Sequence, residues 1–358
     1  MNRKLLTVVT LISWLVLGTH MALADQAARL PNITILATGG TIAGTGATST
    51  TTVGYAVATV GVQALIDAVP ELKSIAAVRG EQLFQIASEN MTCAHWLKLG
   101  RRVNELLAQG DVDGIVITHG TDTLEETAYF LNLVVKSDKP IVLVGAMRPS
   151  TAMSADGPMN LFNAVTLAGS REAVGQGVLV CMNDQINGAR DVTKTNTSTL
   201  DTFRSPGFGL LGSIQAGKPV FYRKSTRRHT TQSEFDIREV KELPWVGIVY
   251  AYADYGRVAT EAFVGAGVKG IVHAGVGNGS VSIDARAALV EARAKGIVVV
   301  RSSRTGGGAV ARNGEVNDDA LDFVVADDLN PQKARILLAL ALTRTTDTRE
   351  IQRMFYQY

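Results

Sequence analysis

The stretch 114–126, GIVITHGTDTLEE, decides the fold of this chain. It begins with an apolar run, 115–117, of the kind that forms a buried strand in a parallel sheet. It ends with 123–126, TLEE, which predicts a capping box at the start of a helix. The turn between them lies at the carboxyl end of the strand, where open α/β sheets bind ligands. The hydroxyl of Thr121 and the carboxylate of Asp122, both in this turn, are therefore candidate catalytic groups.

An earlier stretch nearly repeats this design. Residues 34–37, TILA, form a short apolar strand, and the turn TGGT follows at 38–41. In an open α/β sheet the carboxyl ends of parallel strands share one edge. The two turns therefore predict a single pocket that contains two hydroxyls, those of Thr41 and Thr121.

Residues 42–55, IAGTGATSTTTVGY, contain mostly small and polar side chains that could not form a core. Such a composition fits either a surface connection or a hinged lid. Because the segment directly follows Thr41, we favour the lid, with Tyr55 as the residue able to close over the site. Its flexible points would be Gly44, Gly46 and Gly54.

The first 24 residues predict a secretory signal peptide. Arg3 and Lys4 precede the apolar stretch 5–18, and 22–24 fits an A-x-A cleavage site. The apolar stretch is shorter than the ~20 residues that a membrane span requires. We therefore expect export to the periplasm, without membrane attachment after cleavage.

The mature chain has balanced charge. The sequence contains 35 Lys and Arg against 33 Asp and Glu, and loss of Arg3 and Lys4 leaves 33 of each sign. This balance argues against a nucleic-acid surface or an anionic-membrane patch. The five histidines and the two cysteines, Cys93 and Cys181, show no metal-ligand spacing, so no metal site is expected. We expect both cysteines to be free, buried thiols.

Strand and helix patterns alternate along the chain, which predicts a doubly wound, mainly parallel α/β sheet. The mature length of roughly 330 residues exceeds what one core usually supports, so two domains are expected. We place a larger N-terminal catalytic α/β domain at 25–220, a linker at 221–243 and a smaller C-terminal α/β domain at 244–358. A polar segment, 183–199, follows the strand predicted at 177–180, and a helix over 331–343 closes the chain.

Several common site types do not fit. Glycine-rich loops occur at 274–279 and 302–308, but neither matches a dinucleotide-binding or phosphate-binding fingerprint. There is also no G-x-S-x-G nucleophile elbow. What remains are threonine hydroxyls, an acid and a loop lysine, and a neutral lysine can act as the base for a threonine. Thr121, Asp122 and Lys194 could form such a triad, although each is also compatible with a turn, a cap or a solvated loop.

Six stretches carry a resemblance to a known family. LPNITILATGGTIAG (30–44) and DGIVITHGTDTLEETAYFL (113–131) resemble the two signature segments of the bacterial asparaginase/glutaminase family. The similarity covers essentially all of 30–358, and the exported, type II branch of the family fits the signal peptide. The other stretches that resemble family blocks are VGAMRPSTAMSADGP (144–158), ARDVTKTNT (189–197), AGVGNG (274–279) and LNPQKAR (329–335).

The resemblance implies hydrolysis of L-asparagine to L-aspartate and ammonia through a threonine acyl-enzyme, without a metal or an organic cofactor. It makes Thr41 the primary nucleophile, assisted by Tyr55, with Thr121, Asp122 and Lys194 as a second hydroxyl–base set. It also implies a homotetramer built as a dimer of intimate dimers. The implied substrate-binding residues are Ser88, Glu89 and Asp122 for the α-carboxylate and α-ammonium, Ala146 for the side-chain amide, and Asn278 and Glu315 from a neighbouring subunit.

Two positions depart from the family pattern. Glu89 stands where many asparagine-selective members have glutamine, and members with appreciable glutaminase activity often carry an acid there. Ser137 stands where a bridging cysteine would be expected in some type II members.

We therefore expect an L-asparaginase with secondary L-glutaminase activity. The alternative is a periplasmic amino-acid-binding protein, which also has two α/β domains and an export signal but needs no paired hydroxyls.

Overall fold

The computed structural model describes residues 29–358. The predicted signal peptide, 1–24, lies outside the described residues. Within the described part of the chain, none of the helices combines the length and the apolar character that a membrane span requires.

The N-terminal domain is built on an eight-stranded sheet. The spatial order is β2-β1-β3-β4-β5-β6-β9-β10, and β7 pairs with β8 separately. The strands from β2 to β5 are parallel, whereas β6, β9 and β10 continue the sheet in antiparallel fashion. In chain order the ten strands are β1 (Asn32–Gly39), β2 (Ala77–Ile86), β3 (Gly114–Thr118), β4 (Ile141–Val144), β5 (Val178–Met182), β6 (Gln185–Gly188), β7 (Thr193–Lys194), β8 (Phe203–Arg204), β9 (Gly212–Gln215) and β10 (Lys218–Phe221).

Helices cover both faces of this sheet, which confirms the doubly wound fold class. Every residue of β3 and β4 is buried, because apolar side chains on both of their faces pack against helices. One face carries α2 and α3, and the other carries α1 and α4. The four helices are α1 (Val62–Asp67), α2 (Cys93–Leu107), α3 (Leu124–Val134) and α4 (Gly157–Ala168).

The polar segment 183–199 contains two strands that the sequence reasoning did not predict, β6 and β7. Asn183 and Asp184 both have positive φ, 51° and 60°, and connect β5 to β6 in a tight hairpin. Asn and Asp tolerate this left-handed conformation, which matches the twist of paired antiparallel strands. The hairpin reverses the chain, and the rest of the sheet is therefore antiparallel.

The C-terminal domain has a smaller, fully parallel sheet in the order β11-β12-β13-β14. Its strands are β11 (Val246–Tyr250), β12 (Gly270–Gly275), β13 (Val298–Ser303) and β14 (Val324–Val325). The sequence reasoning was wrong to end the chain on a helix over 331–343, because another helix follows and buries Ile351, Met354 and Phe355. The helices here are α5 (Val258–Gly265), α6 (Ile283–Ala294), α7 (Asp318–Leu321), α8 (Pro331–Ala341) and α9 (Thr348–Gln357).

One apolar core runs through both domains. A single cluster of buried side chains includes Phe130 of α3, Leu337 of α8 and Val272 of β12. Phe235 and Ile237, from the segment predicted as a linker, are buried in the same cluster. The charged segment between the sheets is therefore packed, and α8 lies directly against α3.

The two cysteines are free in the described residues, as predicted. Cys181, in β5, is buried, whereas Cys93 is only partly buried. The expectation of two buried thiols was therefore wrong for Cys93. It is the first residue of α2, next to the Thr92 cap, and the end of a helix at the surface is only partly covered.

Candidate active site

A polar cleft of about 460 Å³ opens at the carboxyl edge of the parallel strands. The turns that follow β1 and β3 form its floor, because these strands are neighbours in the sheet. The two turns touch at Gly40 and Gly120. A Cβ on Gly40 would overlap the backbone of Gly120, and the φ of Gly40 is +84°, so glycine is required there. This close approach brings the two threonine turns into one pocket.

The first hydroxyl belongs to Thr41, which is 7% exposed. Its Oγ1 shares a hydrogen bond of 2.8 Å with the hydroxyl of Tyr55. The chain between them folds back on itself, since Thr45 and Ala56 form an antiparallel bridge. The segment 42–55 thus covers one wall of the cleft, and its opening and closing remain a prediction.

The second hydroxyl belongs to Thr121, which is 5% exposed. The Lys194 ammonium donates to Thr121 Oγ1 at 2.9 Å and to Asp122 Oδ1 at 2.6 Å. Only 17% of the Lys194 side chain is exposed, so the alternative of a solvated loop lysine is wrong. The structure therefore assembles the hydroxyl, ammonium and carboxylate that the spacing suggested.

The start of α3 differs from the predicted capping box. The Thr123 hydroxyl donates to the Ser88 carbonyl at 2.8 Å instead of accepting from the helix. The Asp122 amide in turn donates to Ser88 Oγ at 3.2 Å. Thr123 thus bonds to a residue distant in sequence instead of capping its own helix. These bonds hold Ser88 against the turn that contains Thr121.

A buried chain of hydrogen bonds supports the same turn. The indole N–H of Trp96 donates to Thr127 Oγ1, and the Thr127 hydroxyl bonds to His119 Nε2, each at 2.9 Å. The other ring nitrogen, Nδ1, donates to the Gly120 carbonyl at 2.7 Å. Burial lowers the pKa of His119 to about 4, so the imidazole is neutral and its donor and acceptor roles are fixed.

Comparison with known proteins shows the family to which the chain belongs. Residues 32–227 match the family described as "Asparaginase, N-terminal", and residues 245–355 match the "Glutaminase/Asparaginase C-terminal domain". The chain belongs to the asparaginase/glutaminase family. The predicted family and fold class are thereby confirmed.

Relatives of this asparaginase-family chain match it over nearly their whole length. It is 56% identical to a glutaminase-asparaginase of Pseudomonas fluorescens biotype A, over 92% of this chain and 91% of that one. It is 49% identical to a probable periplasmic L-asparaginase of Haemophilus influenzae, over 99% of both chains. A crystal structure of a probable cytoplasmic L-asparaginase from Campylobacter jejuni superposes with a TM-score of 0.89, at 50% identity over 92% of this chain and all of that one.

The other substrate-binding residues that the resemblance implies in the N-terminal domain line the cleft or lie behind it. Ser88 and Glu89 line it, and Ala146 is fully buried behind it. Met147 and Arg148, which the sequence reasoning did not select, also line the cleft. Their amides donate to the Asp156 carboxylate at 2.9 and 3.0 Å. The only sequence signal for this contact was an acid directly before the Gly-Pro start of α4.

Asn278 and Glu315 lie elsewhere. Both belong to the C-terminal domain, and neither lines the cleft formed by residues 29–358 of one chain. Asn278 Oδ1 accepts from the Ala311 amide at 2.8 Å, and its amide nitrogen lies against Gly314, beside Glu315. The two residues that the resemblance assigns to a neighbouring subunit thus lie close together on the C-terminal domain.

In the described residues, no group of three or more His, Cys, Asp or Glu side chains is arranged to hold a metal ion. Glu125, a carboxylate that the sequence reasoning did not select, accepts a hydrogen bond from the Lys194 backbone amide. No local pattern could have shown this contact, because 69 residues separate the two positions.

Proposed function

We propose that this family member hydrolyses the side-chain amide of L-asparagine to L-aspartate and ammonia, with L-glutamine as a secondary substrate. The observation that carries the proposal is the presence of two hydroxyls in one cleft, each hydrogen-bonded to a side chain that can exchange protons with it. Thr41 has Tyr55, and Thr121 has Lys194. The names of the relatives, L-asparaginase and glutaminase-asparaginase, support both substrates.

In the first half of the reaction, Thr41 Oγ attacks the amide carbon while the Tyr55 hydroxyl acts as a proton relay, taking up the Thr41 proton and passing on its own. The C–N bond then breaks, the proton passes to the leaving nitrogen, and ammonia departs. An ester between the substrate acyl group and Thr41 remains. Dividing one difficult substitution into two easier steps is the advantage of covalent catalysis.

In the second half, water adds to the ester carbon, and Thr41 leaves and regains its proton. Thr121 and Lys194 form the second hydroxyl–base set. After the Lys194 ammonium has given up a proton to water, the neutral amine takes the Thr121 proton, and Asp122 orients the lysine. These groups carry protons to and from the reacting oxygen and nitrogen. Such a reaction uses no metal and no organic cofactor.

The substrate head group would bind beside the second turn. Ser88 would hold the α-carboxylate, Glu89 and Asp122 would hold the α-ammonium, and the Ala146 backbone would fix the side-chain amide. Asn278 and Glu315 would complete the site of a neighbouring subunit, within a homotetramer of intimate dimers. Export to the periplasm fits the predicted signal peptide and the relative that is named as periplasmic.

Ammonia release by the mature chain, 25–358, tests the proposal. Thr41→Ala and Thr121→Val should each lower kcat at least about a thousandfold, and the double variant should lose far less than the product because the two act as a unit. Thr38→Val is the matched control, since this hydroxyl bonds to the Thr118 carbonyl and lies outside the cleft. Near-normal turnover in Thr41→Ala would refute the acyl-enzyme. Calorimetric binding of asparagine without ammonia release would favour the amino-acid-binding protein.

A further inference from the structure

The backbone of Lys194 is held by a buried carboxylate. Glu125, in the first turn of α3, is 4% exposed. Its Oε2 accepts from the Lys194 amide at 2.7 Å. Its other oxygen, Oε1, accepts from the side-chain amides of Asn330, at 3.2 Å, and Gln332. Since these two residues begin α8, Glu125 bridges a catalytic loop of the N-terminal domain and a helix of the C-terminal domain.

The same helix holds the loop at a second point. The Lys333 ammonium, in a side chain that is 1% exposed, donates to the carbonyls of Arg190, at 2.8 Å, and Val192. Arg190 itself makes a bidentate pair with Asp328, at 2.6 and 2.7 Å. The chain that leads into Lys194 is therefore fixed to the start of α8 along its length.

We propose that Glu125 is a positioning residue for the Lys194 ammonium. Lys194 is clamped at both ends by one stretch of chain, because its amide bonds to Glu125 while its Nζ bonds to Thr121 and Asp122. The distance from the ammonium to the Thr121 hydroxyl is then set by the short stretch 121–125, which leads from the turn into the first turn of α3. The start of α8 holds the first turn of α3 in place through Glu125. This inference rests on the proposed role of Lys194.

The charge of Glu125 is what allows the bridge. An ionised carboxylate offers acceptors on both oxygens, and all three groups that point at it are N–H donors. In Glu125→Gln, the amide N–H₂ must face either the Lys194 amide or the α8 side chains, so a partly buried N–H donor meets another donor. We expect kcat to fall about 10- to 100-fold with KM nearly unchanged, since small displacements of a catalytic group are costly.

Glu126→Gln is the matched control. Glu126 is the next residue of α3 and also faces α8, through Arg335 at 3.9 Å, but it is not bonded to the segment 190–194. It should keep wild-type kcat. Gln332→Met is a second variant that leaves Glu125 in place and removes one α8 contact. It should lower kcat in the same direction, about three- to tenfold.

A double-mutant cycle separates positioning from general destabilisation. Lys194→Met, Glu125→Gln and the double variant are compared by ammonia release from asparagine, with thermal unfolding of each. If Glu125 acts through Lys194, the double variant should be no less active than Lys194→Met alone. Losses that multiply, or an equal loss in Glu126→Gln, would overturn the inference. Full activity in Lys194→Met would instead refute the proposed function of Lys194, which the cycle thus tests separately.

Discussion

Replacing Glu126 by glutamine should stabilise the protein at neutral and alkaline pH. Glu126 lies in α3 with only 20% of its side chain exposed, and its nearest cation, Arg335, is 3.9 Å away. Burial raises the pKa of this carboxyl from 4.5 to about 7, and the attraction of Arg335 offsets burial only in part. The folded protein therefore holds a proton on Glu126 at a pH where the unfolded chain has lost it.

The sign and size of the effect follow from proton linkage. Between pH 4.5 and about 7 the folded state binds more protons than the unfolded state, so the contribution of Glu126 to stability is lost as the pH rises. The difference between the two pKa values corresponds to about 3 kcal/mol of unfolding free energy. Glutamine keeps the shape and carries no charge, so the variant should not suffer this loss.

Urea unfolding of the wild type and Glu126→Gln, from pH 4.5 to pH 8.5 at one protein concentration, measures the effect. The two should be nearly equal at pH 4.5, which is the internal control. The variant should then become more stable with rising pH, by up to about 3 kcal/mol above pH 7. A difference in unfolding free energy that does not change with pH, or a wild type that is more stable than the variant at pH 8, would refute the raised pKa of Glu126 in the folded protein.

Three other outcomes are expected. Amides of the segment 42–55 should exchange hydrogen quickly without ligand and slowly with aspartate bound, and equal protection in both states would leave a passive surface loop. Glu89→Gln should lower glutamine kcat/KM more than asparagine kcat/KM. In the proposed site the Glu89 charge would hold the substrate ammonium with little directional demand and so tolerate a longer substrate, and the one methylene that separates the two substrates is worth only ~1–3 kcal/mol. An unchanged ratio would contradict this. Gly40→Ala should lose activity and at least about 2 kcal/mol of stability through strain and overlap with Gly120. Gly217→Ala, also at positive φ but in open space, should lose only the stability that backbone strain costs.

Uninterrupted apolar runs in the sequence determined the centre of the fold. The predicted strand 115–117 lies within β3, because a strand covered by helices on both faces is buried along its whole length. The residues directly after such strands form the cleft floor, since parallel strands end at one edge. Thr41, Thr121 and Asp122 could therefore be placed without coordinates. The residue patterns also selected Tyr55 and Lys194, and the family resemblance assigned their roles beside the two threonines.

Only the tertiary structure decided the partners of the polar groups. The TLEE stretch predicts a local cap, yet Thr123 bonds to Ser88, and Glu125 bonds to Lys194 and to Asn330. These partners lie 35, 69 and 205 residues away in sequence. A buried carboxylate or hydroxyl must be satisfied by whatever donor the packing brings to it, and a local pattern contains no information about such donors. The sequence thus determined where the candidate catalytic groups lie, and the packing of α8 against α3 decided which residues hold them in place.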